Sequence, residues 1–514
     1  MGHRLAVVLA ALSLPLTAAA APAQTAPTTV PLSNIIPAPV EVHPGGAPFR
    51  LTGRTAIEAP AAARTVAARL QEALGPATGF RLPIIGHASS RTPVIALVLS
   101  GPSAGYRLTS ARDRITIQAR TAEGLFDGVQ SLRQLLPAAI DARTPQKRDW
   151  AVAGGTIVDH PKYAYRGAML DEARHFHTPD EVKQYIDEIA RFKVNYLHLH
   201  LADDQGWRIQ IDSWPRLTQI SGGPGTGVDG VGGGFLTKAD YRDLVRYAAA
   251  RYVTIVPEID MPGHVNAAEV AYPSLTCDGV APPPRTDTEV GYSSLCTSKE
   301  LTYKFAEDVI RELAAITPGP YIHVGGDEAH ATAPADYVTF EQRVLPLVAK
   351  YGKIAYGWHQ ISQAPAATSA VAQFWGTDDT DADLVAAAAK GTEVVMSPAN
   401  QAYLDMKYTE DTPLGQDWAA LIEVHDAYGW DPATRVAGVP ASAVLGVEAP
   451  LWSETLRSLA DIQYMAFPRL PAIAELGWSA DYSWDSFRAR LGTYGPRWDR
   501  QGVNFYRSPQ VDWS

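Results

Sequence analysis

The amino-acid sequence lacks an excess of positive charge, since its 514 residues include 44 Lys and Arg against 55 Asp and Glu, a net charge of −11. Surfaces that bind nucleic acids are usually dominated by Lys and Arg, so this balance argues against a nucleic-acid partner. A small uncharged substrate fits the composition better. The length is too great for one ordinary core but suits a large barrel with a smaller domain.

Long apolar runs are also lacking. The run Leu5–Leu16 is shorter than the roughly 20 residues that a membrane-spanning helix needs, and no later segment is long and apolar enough either. Arg4 precedes this run and the small-residue sequence Ala21 to Ala23 follows it, which is the order of a cleaved export signal. We therefore predict a signal peptide at residues 1–23 and a periplasmic or extracellular protein without a membrane span.

Cysteine is nearly absent, since Cys277 and Cys296 are the only two in the chain. Neither lies near the predicted cleavage site, which removes the usual thiol for lipid attachment. In an oxidising compartment, two cysteines this close in the sequence can close one loop. We interpret them as a disulfide, with two unpaired thiols as the alternative.

The first part of the mature chain has the pattern of a small α/β domain. We expect a Pro- and Ala-rich spacer at residues 24–48, followed by alternating strands and helices up to Asp159. Its best-defined helix, Thr121–Leu136, has apolar residues at helical spacing. No catalytic residue types gather here, so we predict a non-catalytic N-terminal domain at residues 24–159.

From Tyr165 onward, short β-rich runs alternate with helical segments, which is typical of βα units. Eight candidate strands lie at Arg166–Glu172, Val194–Ala202, Val253–Asp260, Tyr321–Gly325, Lys353–Trp358, Ala370–Trp375, Glu393–Pro398 and Val444–Pro450. Thr178 to Glu181 form a capping box with Pro179 at the first helical position. Eight parallel strands with intervening helices predict a (β/α)8 TIM barrel at residues 160–507.

The second candidate strand shows which face should line the barrel. Leu197, Leu199 and Leu201 fall on one face, while His198 and His200 fall on the other. We expect the leucines to contact the surrounding helices and the histidines to point into the barrel.

A glycine-rich segment, Gly225 to Gly230, matches the spacing of a dinucleotide-binding fingerprint. It runs on into further glycines and no helix opens there, so we predict a surface loop and no nucleotide cofactor. We expect the protein to need no cofactor of any kind.

The segment His323 to Glu328 places two adjacent carboxyl groups, those of Asp327 and Glu328, at the end of an apolar run. Neighbours in a continuing strand would point to opposite faces. Gly325 and Gly326 supply the backbone freedom to leave the strand, so both carboxyl groups can serve one site. Their adjacency indicates unequal roles.

Barrel enzymes build their active sites at the C-terminal ends of the strands, and this chain places polar or aromatic residues at every one. In strand order they are Arg174; Asp203, Asp204 and Gln205; Asp260 and His264; Asp327 and Glu328; Trp358; Trp375; Tyr403 and Asp405; and Trp452 and Glu454. A pyranose ring packs its apolar face on indoles and offers its hydroxyls to charged acceptors and planar donors. The combination predicts a sugar-binding pocket.

These residues resemble the β-N-acetylhexosaminidases of glycoside hydrolase family 20. The resemblance runs from about Tyr165 to Trp478, and the preceding region, with Glu123 to Gly128, resembles the small α/β domain with a mainly antiparallel sheet that precedes the barrel in that family. The matching segments are Asp171–Phe176, Leu197–Trp207, Pro257–His264, His323–Glu328, Tyr403–Asp405 and Trp452–Glu454.

The resemblance implies an exo-acting enzyme that releases terminal β-linked N-acetylglucosamine, or N-acetylgalactosamine, with retention of configuration. In this mechanism the 2-acetamido oxygen of the substrate attacks the anomeric carbon and forms an oxazolinium intermediate. By analogy, Glu328 would be the acid and then the base, and Asp327 would hold the acetamide nitrogen.

The resemblance also implies roles for the surrounding residues. Trp358, Trp375 and Trp452 would form the walls of the acetamide pocket, and Tyr403 would donate to the acetamide oxygen. The ring hydroxyls would be bound by Arg174, Asp405 and Glu454. The supporting residues would be Asp203, His264, Asp260 and His323, with Asp203 and His264 forming a polar chain to Glu328. A buried network that only holds loops together is the alternative for Asp203, Asp260 and His264.

One position departs from the family pattern. Many relatives carry Glu two residues after the tryptophan of the fifth strand, whereas this chain carries Gln360. A neutral amide there puts one supporting or substrate contact in doubt and leaves the acid and the acetamide clamp unaffected.

Two other functions fit parts of the sequence. His198 and His200, completed by His323 and Asp327, could hold a metal in a metal-dependent barrel hydrolase. A pocket at all eight strand ends has no role in that hypothesis, so we predict no metal. A non-catalytic amino-sugar-binding protein is the other alternative, against which the retention of both Asp327 and Glu328 argues.

Overall fold

The computed structural model describes residues 1–3, 29–89, 91–102, 104–231, 233–364 and 369–513. Residues 4–23 of the predicted signal peptide therefore lie outside the described residues. In the parts of the chain that are described, no helix combines the length and the apolar character needed to cross a membrane.

A small α/β domain precedes the barrel. Its strands are β1 (Glu41–Pro44), β2 (Phe49–Leu51), β3 (Ala56–Glu58), β4 (Ile84–Ile85), β5 (Val94–Leu99), β6 (Tyr106–Ala111), β7 (Arg114–Ala119), β8 (Trp150–Val152) and β9 (Gly155–Asp159), and its helices are α1 (Arg64–Thr78) and α2 (Ala122–Gln134). One sheet has the order β1-β9-β6-β7-β5-β3-β4, and β2 pairs with β8. Four of these seven strand pairs are antiparallel, as predicted, and the three pairs from β7 to β4 are parallel.

The predicted helix of this domain is confirmed as α2. Thr121 begins it by accepting a hydrogen bond from the backbone N–H of Gly124, and Leu125, Val129 and Leu132 form its buried face. The helix packs against β6 and β7 and so covers one face of the sheet.

The predicted spacer at residues 24–48 is wrong for its described part. Ile35 and Ile36 are buried, and β1 pairs with β9 as an edge strand of the sheet. The segment is rich in Pro, but two adjacent isoleucines and one short strand suffice to anchor it to the core.

The barrel is closed and has eight parallel strands. Strands β12 (Ala202–Asp203) and β13 (Gly206–Trp207) form a hairpin after the second barrel strand. The barrel strands are β10 (Tyr165–Asp171), β11 (Tyr196–His200), β14 (Thr254–Glu258), β15 (Tyr321–His323), β16 (Ile354–Trp358), β17 (Ala370–Phe374), β18 (Glu393–Met396) and β19 (Val444–Ala449). All eight predicted strands are therefore confirmed, with ends that differ by two residues at most.

Helices surround and close the barrel. They are α3 (Pro179–Ala190), α4 (Arg216–Ser221), α5 (Lys238–Ala249), α6 (Asn266–Ala271), α7 (Glu300–Ala314), α8 (Pro334–Lys350), α9 (Ala382–Ala388), α10 (Ala399–Ala402), α11 (Val424–Tyr428), α12 (Leu459–Ala466), α13 (Arg469–Trp478), α14 (Trp484–Gly492) and α15 (Gly495–Gln501). The capping box predicted at Thr178 and Glu181 begins α3, with Pro179 at its first position. The glycine-rich segment near Gly225 opens no α-helix, as predicted.

The two faces of β11 divide as the sequence indicates. Leu197, Leu199 and Leu201 belong to the main apolar core, whereas His198 and His200 make buried contacts with carboxylates from other barrel strands. The prediction that the histidines point into the barrel is confirmed.

The N-terminal domain and the barrel share one continuous apolar core. At their junction, Asp159 accepts hydrogen bonds from Tyr106 (2.7 Å), Lys193 (2.9 Å) and the indole of Trp478 (2.9 Å). These groups come from both sides of the junction, so a satisfied buried ion pair fixes the domain against the barrel.

The predicted disulfide between Cys277 and Cys296 is present. It closes the long segment that leads from β14 to α7, so this segment is tied at both ends. Two residues of the closed loop, Thr288 and Val290, line a cavity at the C-terminal ends of the barrel strands.

Candidate active site

A cavity of about 320 Å³ opens at the C-terminal ends of the barrel strands. Among the residues that line it are nine of the predicted site residues, namely Arg174, His264, Asp327, Glu328, Trp375, Tyr403, Asp405, Trp452 and Glu454. The barrel has therefore brought together residues that are up to 280 positions apart in the sequence, as the strand-end argument requires.

The loop after β15 carries the two adjacent carboxyl groups into this cavity. Strand pairing ends at His323, and the backbone then takes left-handed φ angles of 72° at Gly325, 98° at Gly326 and 43° at Glu328. A positive φ at a non-glycine residue is strained and is typical of functional sites. The predicted departure from the strand is confirmed, and both Asp327 and Glu328 line the cavity.

Gly325 must be glycine for a steric reason as well. A Cβ atom there would lie 1.8 Å from Oδ1 of Asp260, which also accepts a hydrogen bond from the backbone N–H of Gly326 (3.0 Å). Asp260 therefore holds the turn from beneath, and the turn leaves no room for a side chain.

We expect Gly325→Ala to reduce activity by at least about tenfold, because the clash displaces the turn that carries Asp327 and Glu328 and small misplacements of catalytic groups are costly. Gly352→Ala is the matched control, since Gly352 has φ 73° and nothing within 4 Å of its Cβ position. It should lose only about 1–2 kcal/mol of stability and keep its activity. Equal kcat/KM values for the two folded variants would contradict this steric explanation.

Glu328 is supported by a polar chain, as the resemblance implied. His264 Nδ1 lies 3.1 Å from Asp203 Oδ1, and His264 Nε2 lies 3.3 Å from Glu328 Oε2. Burial would lower the pKa of His264, but the carboxylates of Asp203 and Asp327 outweigh it and raise this pKa well above its usual range. A cationic imidazole therefore stands behind both carboxyl groups.

Asp327 lies on the same side of the cavity, with Oδ2 3.7 Å from His264 Nε2. Burial raises the pKa of Asp327 to about 6, against the opposing effect of His264. Burial and then the charge of Asp327 raise the pKa of Asp260 well above its usual range. Asp260 is thus neutral when Asp327 is ionised.

Arg174 forms part of the cavity wall and is held by Asp203 (2.8 Å) and by the side-chain oxygen of Gln205 (3.0 Å). Although burial acts in the opposite direction, Arg174 and then His264 hold the pKa of Asp203 well below its usual range. The guanidinium also lies 4.9 Å from the ring centre of Trp452. Its Nη1 is buried, lies 3.6 Å from Asp171 Oδ2 and has no hydrogen-bond partner among the described residues, so it can donate to a ligand.

Asp405 and Glu454 are neighbouring carboxyl groups that line the cavity together with this arginine. Burial and then the neighbouring Glu454 raise the pKa of Asp405 well above its usual range, and burial also raises that of Glu454 against the effect of Arg174. Asp405 Oδ2 and Glu454 Oε2 are buried and accept no hydrogen bond from the described residues. Buried oxygens of this kind are suited to bind ligand hydroxyls.

Aromatic rings complete the wall. Trp418 lies 6.2 Å from Trp375 and 6.1 Å from Tyr403 between ring centres, and Tyr403 lies 6.3 Å from Trp452. Trp418 is 53% exposed although it lines the cavity, so it stands at the mouth. The rings present apolar faces beside the polar groups, which suits a sugar ring.

The structure places Trp358 differently from the expectation. It has no exposed surface and is not part of the cavity lining; its ring centre lies 5.7 Å from that of Trp452, and its indole N–H donates to Glu258 (2.9 Å). Trp358 therefore packs against Trp452 from outside the cavity in this structure.

Gln360 has a defined role despite its departure from the family pattern. Its side-chain oxygen accepts a hydrogen bond from the indole N–H of Trp375 (3.0 Å). A neutral amide therefore orients one of the cavity walls.

An alternating chain of carboxyl and imidazole groups runs through the barrel interior to the cavity. In order it contains Glu448, His198, Glu258, His200, Asp203, His264 and Glu328, with successive distances of 2.9, 3.0, 2.5, 2.9, 3.1 and 3.3 Å. The carboxylates outweigh burial and raise the pKa of His198 to about 9 and that of His200 to about 10. His323 joins this chain from the side, 3.0 Å from Glu258.

The proposed metal set does not assemble. In the described residues, the groups close enough to share an ion are His198 with Glu258 and His323, Asp203 with Asp260 and His264, and His264 with Asp327 and Glu328. None of them joins His198 or His200 to Asp327, and these histidines face carboxylates that keep them protonated, which disfavours metal binding.

The sequence argument missed four residues that line the cavity, which are Thr288, Val290, Gln416 and Trp418. All of them lie in loops well beyond a strand end, where position along the chain gives no indication of the direction of a side chain. The sequence argument named Gln205 at a strand end but gave it no role. In the structure, the side-chain oxygen of Gln205 accepts a hydrogen bond from Arg174, and its NH2 group donates to the backbone oxygen of Asp287 (2.9 Å) in the loop closed by the disulfide.

Two family models match the chain. The model described as "Glycosyl hydrolase family 20, catalytic domain" matches residues 163–337 and 333–481. The model "Glycosyl hydrolase family 20, domain 2" matches residues 32–160. Together they cover most of the chain.

Individual proteins agree with the family models. The chain is similar to a β-N-acetylhexosaminidase of Cellulomonas fimi, with 41% identity over 488 residues that span 93% of this chain and 97% of that protein. A β-hexosaminidase of Porphyromonas gingivalis is 33% identical over 92% of this chain and 64% of its own length.

Solved structures show the same likeness. The GH20 β-N-acetylhexosaminidase of Streptomyces coelicolor A3(2) aligns with a TM-score of 0.92 and 54% identity over 95% of this chain and 100% of that one. A mutant β-hexosaminidase of Streptomyces plicatus, solved in complex with its product GlcNAc, aligns with the same TM-score and identity over 95% of this chain and 99% of that one.

Proposed function

Because the chain belongs to glycosyl hydrolase family 20 and is a β-N-acetylhexosaminidase, we propose that it removes terminal β-linked N-acetylglucosamine from the non-reducing end of oligosaccharides by substrate-assisted hydrolysis. A small carbohydrate is accordingly its substrate. N-acetylgalactosamine is a second candidate sugar, since the names of the relatives cover hexosaminidases in general.

The relative position of the carboxyl groups of Asp327 and Glu328 is the main observation that supports a substrate-assisted mechanism. Asp327 and Glu328 approach the same nitrogen of His264, at 3.7 and 3.3 Å, and their nearest ligand atoms lie within 4.8 Å of one another. They therefore stand side by side, whereas an acid and a nucleophile flank the bond that is cleaved. This arrangement suits one acid and one group that holds the acetamide.

In the first step, Glu328 transfers its proton to the glycosidic oxygen as the bond between that oxygen and the anomeric carbon breaks. The acetamide oxygen forms a new bond to the anomeric carbon and closes an oxazolinium ring. Asp327 accepts a hydrogen bond from the acetamide N–H and stabilises the positive charge of the ring. The leaving sugar departs as an alcohol.

In the second step, the carboxylate of Glu328 takes a proton from water as the water oxygen attacks the anomeric carbon. The oxazolinium ring opens and restores the acetamide. Two displacements at one carbon return it to its original configuration, so the product is the β anomer. His264 and Asp203 keep Glu328 oriented for both proton transfers.

The remaining cavity residues hold the terminal sugar. Arg174, Asp405 and Glu454 offer a buried donor and two buried carboxyl oxygens that have no hydrogen-bond partner among the described residues, which suit ring hydroxyls. Tyr403 lines the same cavity and can donate its hydroxyl hydrogen to the acetamide oxygen. A cavity that surrounds one sugar favours removal of terminal residues.

The test uses a β-linked N-acetylglucosamine oligomer labelled at its reducing end, followed by proton NMR and by chromatography. We expect free N-acetylglucosamine to appear first as the β anomer, with the label leaving in steps of one sugar. An α anomer as the first product would exclude the two-step mechanism, and release of larger fragments would exclude exo action.

The same assay with a chelator separates the metal-dependent alternative. Full activity after dialysis against EDTA is expected from the proposed mechanism, whereas loss that zinc restores would favour a metal hydrolase. Binding of N-acetylglucosamine without turnover would instead support the non-catalytic alternative.

The pH profile should report Asp327. Burial raises its pKa to about 6, so below pH 6 the carboxyl is protonated and no longer accepts the acetamide hydrogen bond as a charged group. We expect kcat/KM to fall about tenfold per pH unit below pH 6, because the pH dependence of kcat/KM reports the pKa values of essential groups in the free enzyme. Asp327→Asn should lack this acid limb; a limb unchanged in the variant would assign it to another group.

We also propose that the protein is exported and functions in the periplasm or outside the cell. The order of basic, apolar and small residues at the N-terminus supports this proposal, as does the disulfide between Cys277 and Cys296. N-terminal sequencing of the protein from periplasm and medium tests it. A protein that retains Met1 and stays in the cytoplasm would contradict it.

A further inference from the structure

A second cavity, of about 280 Å³, lies between the N-terminal domain and the barrel. Residues of α1, α2, α3 and α15 line it. Helix α3 runs back from the C-terminal ends of the barrel strands, and Arg191 follows its last residue. The cavity is therefore at the opposite end of the barrel from the active site.

The charge of this cavity is positive, although the protein as a whole carries −11. Five arginines and three carboxylates line it. Each carboxylate already has a partner: Asp141 pairs with Arg133 and with Arg497, which lies outside the lining, and two further pairs join Asp187 to Arg251 and Glu72 to Arg69. Among the described residues, neither Arg143 nor Arg191 forms an ion pair with a carboxylate, and Arg143 donates instead to the backbone oxygen of Gln501 (3.1 Å).

Several polar atoms on this cavity are buried and have no hydrogen-bond partner among the described residues. They are Nη1 of Arg191, Nε of Arg69 and both polar atoms of the Gln501 side chain. A buried donor without an acceptor is unfavourable, and more so when it is charged. Burial and then the charge of Arg133 lower the pKa of Arg191, and the opposing charges of Asp141 and Glu188 do not outweigh them.

From these observations we propose that the cavity is an anion site that binds a tetrahedral oxyanion, with hydrogen phosphate as its occupant, between Arg191, Arg69 and Gln501. Guanidinium groups match the geometry of phosphate oxygens. The side-chain amide of Gln501 offers an NH2 donor group and a carbonyl acceptor, and the acceptor suits the protonated oxygen of hydrogen phosphate, which sulfate lacks.

The proposed anion would join three parts of the fold. Arg69 belongs to α1 of the N-terminal domain, Arg191 follows α3 of the barrel, and Gln501 ends α15. Its binding therefore favours the assembled state over the unfolded chain without touching the active site. We expect a gain in thermal stability and no change in kcat/KM.

The test titrates inorganic phosphate into the full protein by calorimetry, with chloride adjusted to keep the ionic strength constant. We expect saturable binding to one site and a rise in Tm of about 1–3 °C at saturation. Arg191→Gln should weaken phosphate binding at least tenfold. Arg488→Gln, which removes the same charge from the exposed surface of α14, should bind as the unmodified protein does.

Two results would overturn the proposal: no saturable binding by the unmodified protein, or equal binding by both variants. If Arg191→Gln does not fold, Gln501→Leu replaces it and should also weaken binding. Sulfate that binds as tightly as phosphate would refute the assigned role of Gln501. A hexose phosphate distinguishes the source of the anion, since tighter binding than phosphate indicates a phosphorylated sugar and weaker binding indicates the free ion.

Discussion

A β-glucoside should be hydrolysed at least about 10⁵ times more slowly than the matching β-N-acetylglucosaminide, measured as kcat/KM with the same leaving group. The reason is that the proposed nucleophile is the acetamide oxygen, which a 2-hydroxyl cannot replace. Well-oriented intramolecular nucleophiles have effective molarities of about 10⁵ to 10⁸ M, which sets the size of the expected loss. Asp327 would also lose the N–H that it binds.

The comparison has a built-in control for binding. Glucose keeps the ring hydroxyls that Arg174, Asp405 and Glu454 are placed to hold, so the glucoside should still act as a weak competitive inhibitor. Comparable rates on the two substrates would refute substrate assistance and require a nucleophile on the protein.

The second large effect is expected for Glu328→Gln, which keeps the shape of the side chain but removes the transferable proton. We expect kcat/KM to fall by about 10² to 10⁴ on oligosaccharides, whose alcohol leaving groups need protonation. Substrates with an activated aryl leaving group should lose much less in the first step. The measurement is a series of aryl glycosides of increasing leaving-group pKa, compared with an oligosaccharide.

Two further variants test whether the dependence on the leaving group is specific to the acid role of Glu328. Asp327→Asn should lower the rate by a similar factor for every leaving group, because Asp327 acts on the acetamide and transfers no proton to the leaving oxygen. Glu307→Gln, on the exposed side of α7, should have no effect on any substrate. Losses that are independent of the leaving group for Glu328→Gln would assign the acid to another residue.

The sequence was sufficient to predict the barrel strands and the side chains that lie at their C-terminal ends. Alternation of apolar residues, as in Leu197 and Leu199, and a capping box, as at Thr178, are local signals that the barrel does not override. Because parallel strands end at one edge of the barrel, knowledge of the strand ends was enough to bring Arg174, Glu328 and Glu454 together.

Side-chain depth and loop direction could not be predicted in the same way. Trp358 and Trp375 both end a barrel strand, yet Trp358 is buried behind Trp452 and Trp375 lines the cavity. Trp418 reaches the mouth from a loop whose path depends on its contacts. Ile35 and Ile36 are buried, and the backbone N–H of Ile36 donates to Gln134 of α2, 98 positions later (2.9 Å), so composition alone suggested a spacer.

The alternating carboxyl and imidazole groups inside the barrel limit which substitutions the enzyme can tolerate during evolution. Three carboxylates, Glu448, Glu258 and Asp203, are interleaved with His198, His200 and His264, so the six groups are neutral together when the imidazoles are protonated. Loss of any one member leaves an opposite charge uncompensated in a buried site, which is more costly than loss of a neutral contact. Sequence drift at these positions is therefore restricted to paired exchanges, and random mutation of the barrel interior should yield viable variants mainly as doubles.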